Sequence, residues 1–324
     1  MVLWARAALI LAILLFAPHL LESFEAPKAA ALQVVGLGAL GAAAAAWWRA
    51  RGRSGSAGWR LLDLAVLLWL CVDVLATVAS RAPRISFFGD SDQHEGLLTS
   101  LSLAGVYASA RLGTRTPGDA RHTLGWMVAA SALSSTYALF QAAGLDRLPW
   151  QGLEVYAGGW FMRPFGTLDH PNVLGVMTGA GTAVATGMAV VGPRRRWWLV
   201  AGAMLGLTTA LTLSRGAWLG GAVGSAVSLG LALRAGRKSR GRSRGVALAL
   251  VATGLVLMTL FATIDVFRAR VLQMLWPMTG STVSRMEIWR IALAMWRAHP
   301  WTGAGLDLFG LLFQRYQTPE FWRL

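Results

Sequence analysis

The chain has 324 residues, 55% of them apolar and only 14% charged, with a formal net charge of +15 and a mean hydropathy of +0.51. Its apolar residues fall into blocks of about 20, the length a helix needs to cross a hydrocarbon core, which excludes a soluble domain with one core and a charged shell. The single cysteine, Cys71, lies inside such a block, so neither a disulfide framework nor a cysteine-rich metal site is available.

In chain order the blocks predict an all-α bundle of about nine membrane spans: Val2–Leu21, Ala29–Trp48, Leu61–Ser80, Leu97–Gly113, Thr123–Ala143, Asn172–Val191, Trp197–Leu213, Gly216–Leu233 and Val246–Ile264. Trp47, Trp48, Trp59, Trp160, Trp197 and Trp198 sit at block ends, where amphipathic rings favour the headgroup level. The fourth span is short and carries Arg111 at its end, where an arginine can snorkel to the interface. The first block also reads as a signal peptide, since Arg6 precedes a short apolar core; its removal leaves the rest of the topology unchanged. Gly216, Gly220 and Gly224 in the eighth span, and Gly175 and Gly179 in the sixth, recur at the spacing that lets helices approach closely. Packing within the chain is the expected use.

Orientation follows from the basic residues. Arg49, Arg51, Arg53 and Arg60; Arg111, Arg115 and Arg121; Arg194, Arg195 and Arg196; and Arg234, Arg237, Lys238, Arg240, Arg242 and Arg244 all fall on one side of a nine-span topology, with Asp119 as the one acid among them. That side is cytoplasmic, as is the N-terminus. The runs serve as topology signals and contacts for anionic lipid, not as a nucleic-acid surface. Residues 1–264 form the bundle; residues 265–324 stay outside as the first part of a large external loop, which points to a chain that is part of a longer one.

Three external patches carry the candidate chemistry. Arg163-Pro-Phe-Gly-Thr-Leu-Asp-His-Pro-Asn172 leads into the sixth span, with Pro171 at the first helical position and His170 and Asn172 as capping candidates. Arg163 is left in want of an anion or water. Thr212-Leu-Ser-Arg-Gly216 joins two spans by a tight turn that puts Ser214 and Arg215 at the hydrocarbon edge, with Thr208, Thr209 and Thr212 making one face polar. In the third patch, Ser284 and Glu287 form a capping box that starts a helix at Arg285, and Pro300 marks its end. On a helical wheel Arg285 shares the face of Trp289, Ala292 and Trp296, expected to dock on the membrane bundle, while Arg290 and Arg297 point elsewhere. Guanidinium forks bind phosphate oxygens in bidentate fashion, so Arg163, Arg215 and Arg285 on one external face are the candidate diphosphate ligands, with His170, Asn172 and Ser214 in support. Asp90, Asp92 and Glu95 lie close in sequence but suggest no bound metal.

These motifs, with Leu213-Ser-Arg-Gly216, His299-Pro-Trp-Thr-Gly-Ala-Gly305 and the early external segment Ser86-Phe-Phe-Gly-Asp-Ser-Asp-Gln-His-Glu-Gly-Leu-Leu98, resemble the O-antigen ligase and O-antigen polymerase family in order and topology, most strongly from 160 to 310. The resemblance implies a C-type glycosyltransferase-like membrane fold in a bacterial inner membrane, with residues 265–324 in the periplasm. It implies transfer of a glycan from an undecaprenyl-diphosphate donor to an acceptor glycolipid or glycan, without metal or other cofactor. Arg215 and Arg285 match the family's diphosphate-binding arginines. The family's candidate base is a histidine late in the large periplasmic loop, a segment this chain lacks; His299 belongs to another motif, so no catalytic residue is assigned.

Two rival readings use the same residues. A transporter of an anionic solute or lipid would bind its cargo with these arginines and could use Asp73, in the third span, as a proton relay; Asp63, in the same span, lies near the cytoplasmic end. No internal repeat accompanies them, which a transporter would be expected to show. A non-catalytic membrane scaffold is the other.

Overall fold

The structure, a computed structural model, describes residues 1–20, 22–50, 61–91, 93–148, 150, 155–156, 161–235, 262, 265–275, 281–318 and 321. These residues form twelve helices: α1 (Val2–Leu14), α2 (Glu25–Ala50), α3 (Leu61–Val78), α4 (Pro83–Phe88), α5 (Leu97–Gly113), α6 (Pro117–Ala142), α7 (Pro171–Val191), α8 (Arg195–Leu211), α9 (Arg215–Ala235), α10 (Asp265–Leu275), α11 (Ser281–Ala298) and α12 (Phe309–Tyr316). Between α6 and α7, β1 (Val155–Tyr156) pairs antiparallel with β2 (Phe161–Met162). The architecture is all-α, as the sequence predicts.

Among the described residues, four helices are both long and apolar enough to cross a membrane: α2 over Glu25–Arg49, α3, α7 and α9. The chain is therefore a multi-pass membrane protein. The other predicted spans differ for visible reasons. Helix α1 has 13 residues, about 20 Å at 1.5 Å per residue, and stops before Ala17, whose position ahead of Pro18 disfavours helix. Helices α5 and α8 have 17 residues each. Helix α6 is long, but its first turns hold Asp119, Arg121 and His122. The ninth predicted span, Val246–Ile264, falls on residues outside the described ones, Ala262 apart.

The chain divides into two compact units. The first comprises Met1–Ala12, His19–Arg115 and Pro277–Leu324, the second Ile13–Pro18 and Thr116–Trp276. In the first unit α2 packs closely on α5. A side chain at Gly36 would strike Ser102, and one at Gly105 would strike the Gly36 backbone, so only glycine lets the two helices approach this far. Helix α3 turns Asp73 and Thr77 inward while Leu61, Leu68 and Val78 stay exposed; a continuous exposed apolar face of this size suits lipid. Asp63 accepts a hydrogen bond from the Tyr107 hydroxyl at 2.6 Å and pairs with Arg111 Nε at 3.4 Å. Arg111 thus answers a carboxylate of α3, where the sequence suggested an arginine reaching the interface.

In the second unit α7 is the central helix, packed on α9 and α8 around Ala185, Met188, Ala189, Leu205 and Ala232. The α7–α9 contact uses small residues, in a register shifted from the one the glycine spacing suggested. A side chain at Gly175 would come within 2.8 Å of Ala217, and Gly179 faces Gly221. Gly224 lies against Ala183 and Gly187 against Ser228, whereas Gly216 and Gly220 have open space.

Candidate functional site

The predicted site begins with a stretch that is neither helix nor strand. Arg163–Leu168 are six consecutive buried residues without regular structure. Buried backbone polar groups must find partners, and in a membrane protein such segments survive only inside protein or against water. Helix α6 supplies the partners. The fully buried Gln141 side chain accepts from the amides of Phe165 and Gly166 at 3.1 and 2.8 Å. Ser134 Oγ accepts from the Thr167 amide at 3.2 Å and from its hydroxyl at 2.8 Å, and that hydroxyl also lies 2.5 Å from the Ile13 carbonyl. Gly166 has φ 58°, and a side chain there would come within 2.7 Å of Ser134 Oγ, so glycine is required twice over.

Gln141 is held in turn by Asp146, which accepts from its amide at 3.2 Å, from Tyr137 at 2.7 Å and from the Trp150 indole at 2.8 Å. Burial alone would raise the Asp146 carboxyl, but donations from Tyr137, the Leu148 amide, Trp150 and Gln141 outweigh it and hold the group below its ordinary value.

The clamped loop delivers Arg163 to the α8–α9 turn. Arg163 is 3% exposed; its Nε donates to the Thr212 carbonyl at 2.7 Å and its Nη2 to Asn172 Oδ1 at 3.0 Å. The cation that the sequence left in want of an anion thus ties the start of α7 to the turn ahead of α9, through a carbonyl and an amide. His170 caps α7, its Nδ1 accepting from the Asn172 amide at 3.0 Å, with Pro171 at the first helical position.

Within the turn, hydroxyls and an indole supply further hydrogen bonds. Thr178 and Thr209 share a hydrogen bond at 2.8 Å, Thr208 donates to the Met204 carbonyl, and Thr212 donates to that of Thr209. The Trp218 indole donates to the Thr209 and Ala210 carbonyls at 3.0 and 3.2 Å, answering the free acceptors of a helix end. The hydroxyls read from sequence as a polar face close the turn. Leu213, fully buried, takes a left-handed conformation with φ 52°. That is unusual for a bulky residue and is the kind of strain that gathers at functional sites. It reverses the chain so that buried Ser214 and half-buried Arg215 lead into α9.

Arg163, His170, Asn172, Ser214 and Arg215 thus lie on adjoining elements of the second unit, whereas Arg285 belongs to the first. Helix α11 starts at Ser281, so Arg285 lies in its second turn and not at its N-terminus. The buried side of α11 holds Glu287 and Ile291, while Arg285 and Trp289 are exposed. The face that the wheel marked for docking is exposed, and the opposite side is buried within the first unit. Glu287 does not close a capping box; it pairs with Arg290 and lies 3.5 Å from the Thr318 hydroxyl.

After α11 the chain returns to the early external segment of the same unit. Asp307, at φ 57°, accepts from the Asp90 and Glu95 amides at 2.6 and 2.9 Å. Ser86 Oγ donates to the Leu306 carbonyl at 2.9 Å, and the Arg81 amide to that of Ala304 at 3.2 Å. Gly303 and Gly305, with φ 66° and 130°, make that path possible. Two motifs far apart in sequence therefore form one docked pair. Sequence reasoning missed Gln141, Ser134, Asp146 and Asp307. A lone glutamine within an apolar span was the one signal available for Gln141. Among the described residues no group of three or more His, Cys, Asp or Glu side chains gathers as a metal site.

No curated protein and no solved structure matches the chain. Residues 199–323, which hold Arg215 and Arg285, match the family model described as O-antigen ligase; Arg163, His170 and Asn172 precede the matched stretch. Over residues 199–323, about two fifths of its length, the chain is similar to the O-antigen ligase family.

Proposed function

We propose that the chain acts in transfer of a glycan from an undecaprenyl-diphosphate donor to an acceptor hydroxyl on the periplasmic face of a bacterial inner membrane. The observation that carries this reading is Arg215: within the family stretch, it opens α9 directly after a buried, left-handed turn fixed by Arg163. A guanidinium at a helix N-terminus combines a fork that matches phosphate oxygens with the positive end of the helix dipole, which suits a diphosphate. Neutralising the diphosphate as it leaves stabilises the transition state of glycan transfer. Arg285 is proposed as a second ligand on the family resemblance alone. Arg163, its Nε and Nη2 given to Thr212 and Asn172, sets the turn that aims Arg215; His170, Asn172 and Ser214 keep that frame in register. We assign no general base and no metal. The basic loops support nine spans with a cytoplasmic N-terminus.

Lysine keeps the charge but loses the fork. Arg215→Lys and Arg285→Lys should each slow transfer of a lipid-diphosphate-linked glycan in membranes by about tenfold to a hundredfold, equivalent to about 1.4–2.7 kcal/mol. Arg290→Lys should cost little, since Glu287 already answers that charge. Near-normal transfer by both the Arg215 and Arg285 variants, at wild-type protein levels, would remove the anion site.

A further inference from the structure

We infer that α11 lies in the headgroup region of the membrane, its exposed face seated on anionic lipid. The exposed side of this helix is apolar where a soluble surface would be polar. Trp289 is 75% exposed, Trp296 56%, and Met286 and Leu293 43% each. Together with Arg290 and Ala292 they line one shallow groove. At 100° per residue the four apolar side chains fall within an arc of about 80°. Arg285 borders that arc on one side, and Arg297 and Arg290 border it on the other. Glu287, the helix's one acid, is turned to the buried side with Ile291.

This arrangement has one well-fitting occupant. Tryptophan places its ring at the headgroup level. Arginines at the edges of an apolar stripe lay their stems along it and lift their guanidinium groups to phosphate. A helix with a Trp- and Leu-bearing face and a cationic border lies in the interface plane and favours anionic lipid. A protein partner would need acidic groups around an apolar ridge, whereas a bilayer of anionic lipid supplies both and is always adjacent to a chain anchored by α2, α3, α7 and α9. Trp301, just beyond the helix, is 96% exposed.

The test uses the full chain in vesicles. Cys71 is the one native cysteine, so Cys71→Ser gives a background for single nitroxide labels at Leu293→Cys and, independently, Met286→Cys, with exposed Ala294→Cys, outside the stripe beyond Arg290, as the comparison. In phosphatidylglycerol vesicles the labels at 293 and 286 should be open to oxygen and shielded from an aqueous nickel chelate, and the label at 294 the reverse. Each unpaired arginine near an anionic surface is worth roughly fivefold in the seated population, so Arg297→Gln should lower it by about fivefold. Phosphatidylcholine vesicles should show a similar loss of shielding. Three results would overturn the inference: equal nickel access at 293 and 294, shielding that is unchanged in phosphatidylcholine, or spin–spin broadening that puts a second copy on this face. None of these readouts uses glycan transfer, and Arg285 stays intact, so the outcome is independent of the proposed activity.

Discussion

At the scale of single residues, Leu213 carries the clearest signature of the proposed site. Its side chain is fully buried and its backbone is left-handed. Truncation to alanine leaves a cavity at a cost of about 3 kcal/mol and keeps a strain of roughly 1–2 kcal/mol. Glycine leaves nearly the same cavity and removes the strain. Thermal unfolding in detergent should therefore rank Leu213→Gly above Leu213→Ala by about 1 kcal/mol, against the usual order for a core position; the reverse order would mean the conformation is not held in the native protein. Asp146 gives a pH prediction. Its folded value lies below the ordinary 3.8, so it adds stability above about that pH and loses it as acid drives the pH through the folded value. The stability gap between wild type and Asp146→Asn should shrink on acidification below pH 3.8 and hold steady above it. Arg163 shows the limit of reading single residues. The sequence shows a cation at the point of re-entry into the membrane, and from that alone an anion or water is the natural partner. Among the described residues its partners include the Thr212 carbonyl and the Asn172 side-chain amide. No pattern of residue types announces a backbone carbonyl 49 positions away.

At the scale of elements, helix starts and stops were legible where local chemistry decides them. Pro171 after His170 does start α7, and Thr116 with Asp119 closes a capping box at α6. The same logic failed at Ser284 and Glu287, because α11 begins earlier and Glu287 is recruited by Arg290. Glycine spacing pointed to close packing of α7 and α9, but which face of α9 is used depends on the partner's surface, not on its own sequence. Substitution separates the two faces. Gly179→Leu, against Gly221, should lower stability by about 1–3 kcal/mol through overpacking. Gly220→Leu, facing open space, should be neutral or raise it by up to about 1 kcal/mol through helix propensity. Comparable losses in both would contradict the observed register.

For the whole molecule, composition alone makes the chain helical and membrane-embedded, because blocks of about 20 apolar residues have no other stable use. The shape of the site was less accessible. The buried Arg163–Leu168 segment is polar enough to look like an exposed loop, and only its clamping by Gln141 and Ser134 makes burial tolerable. The docking of Asp307 on the Asp90–Glu95 segment joins positions 217 and 212 residues apart, beyond any local pattern. The central claim is that a turn set by Arg163 presents Arg215 to the diphosphate of a lipid-linked donor. Binding of undecaprenyl diphosphate to the purified chain in detergent, compared with Arg215→Lys, tests it most directly. The variant's Kd should be raised by about tenfold or more, with its thermal unfolding unchanged. An unchanged Kd would contradict it.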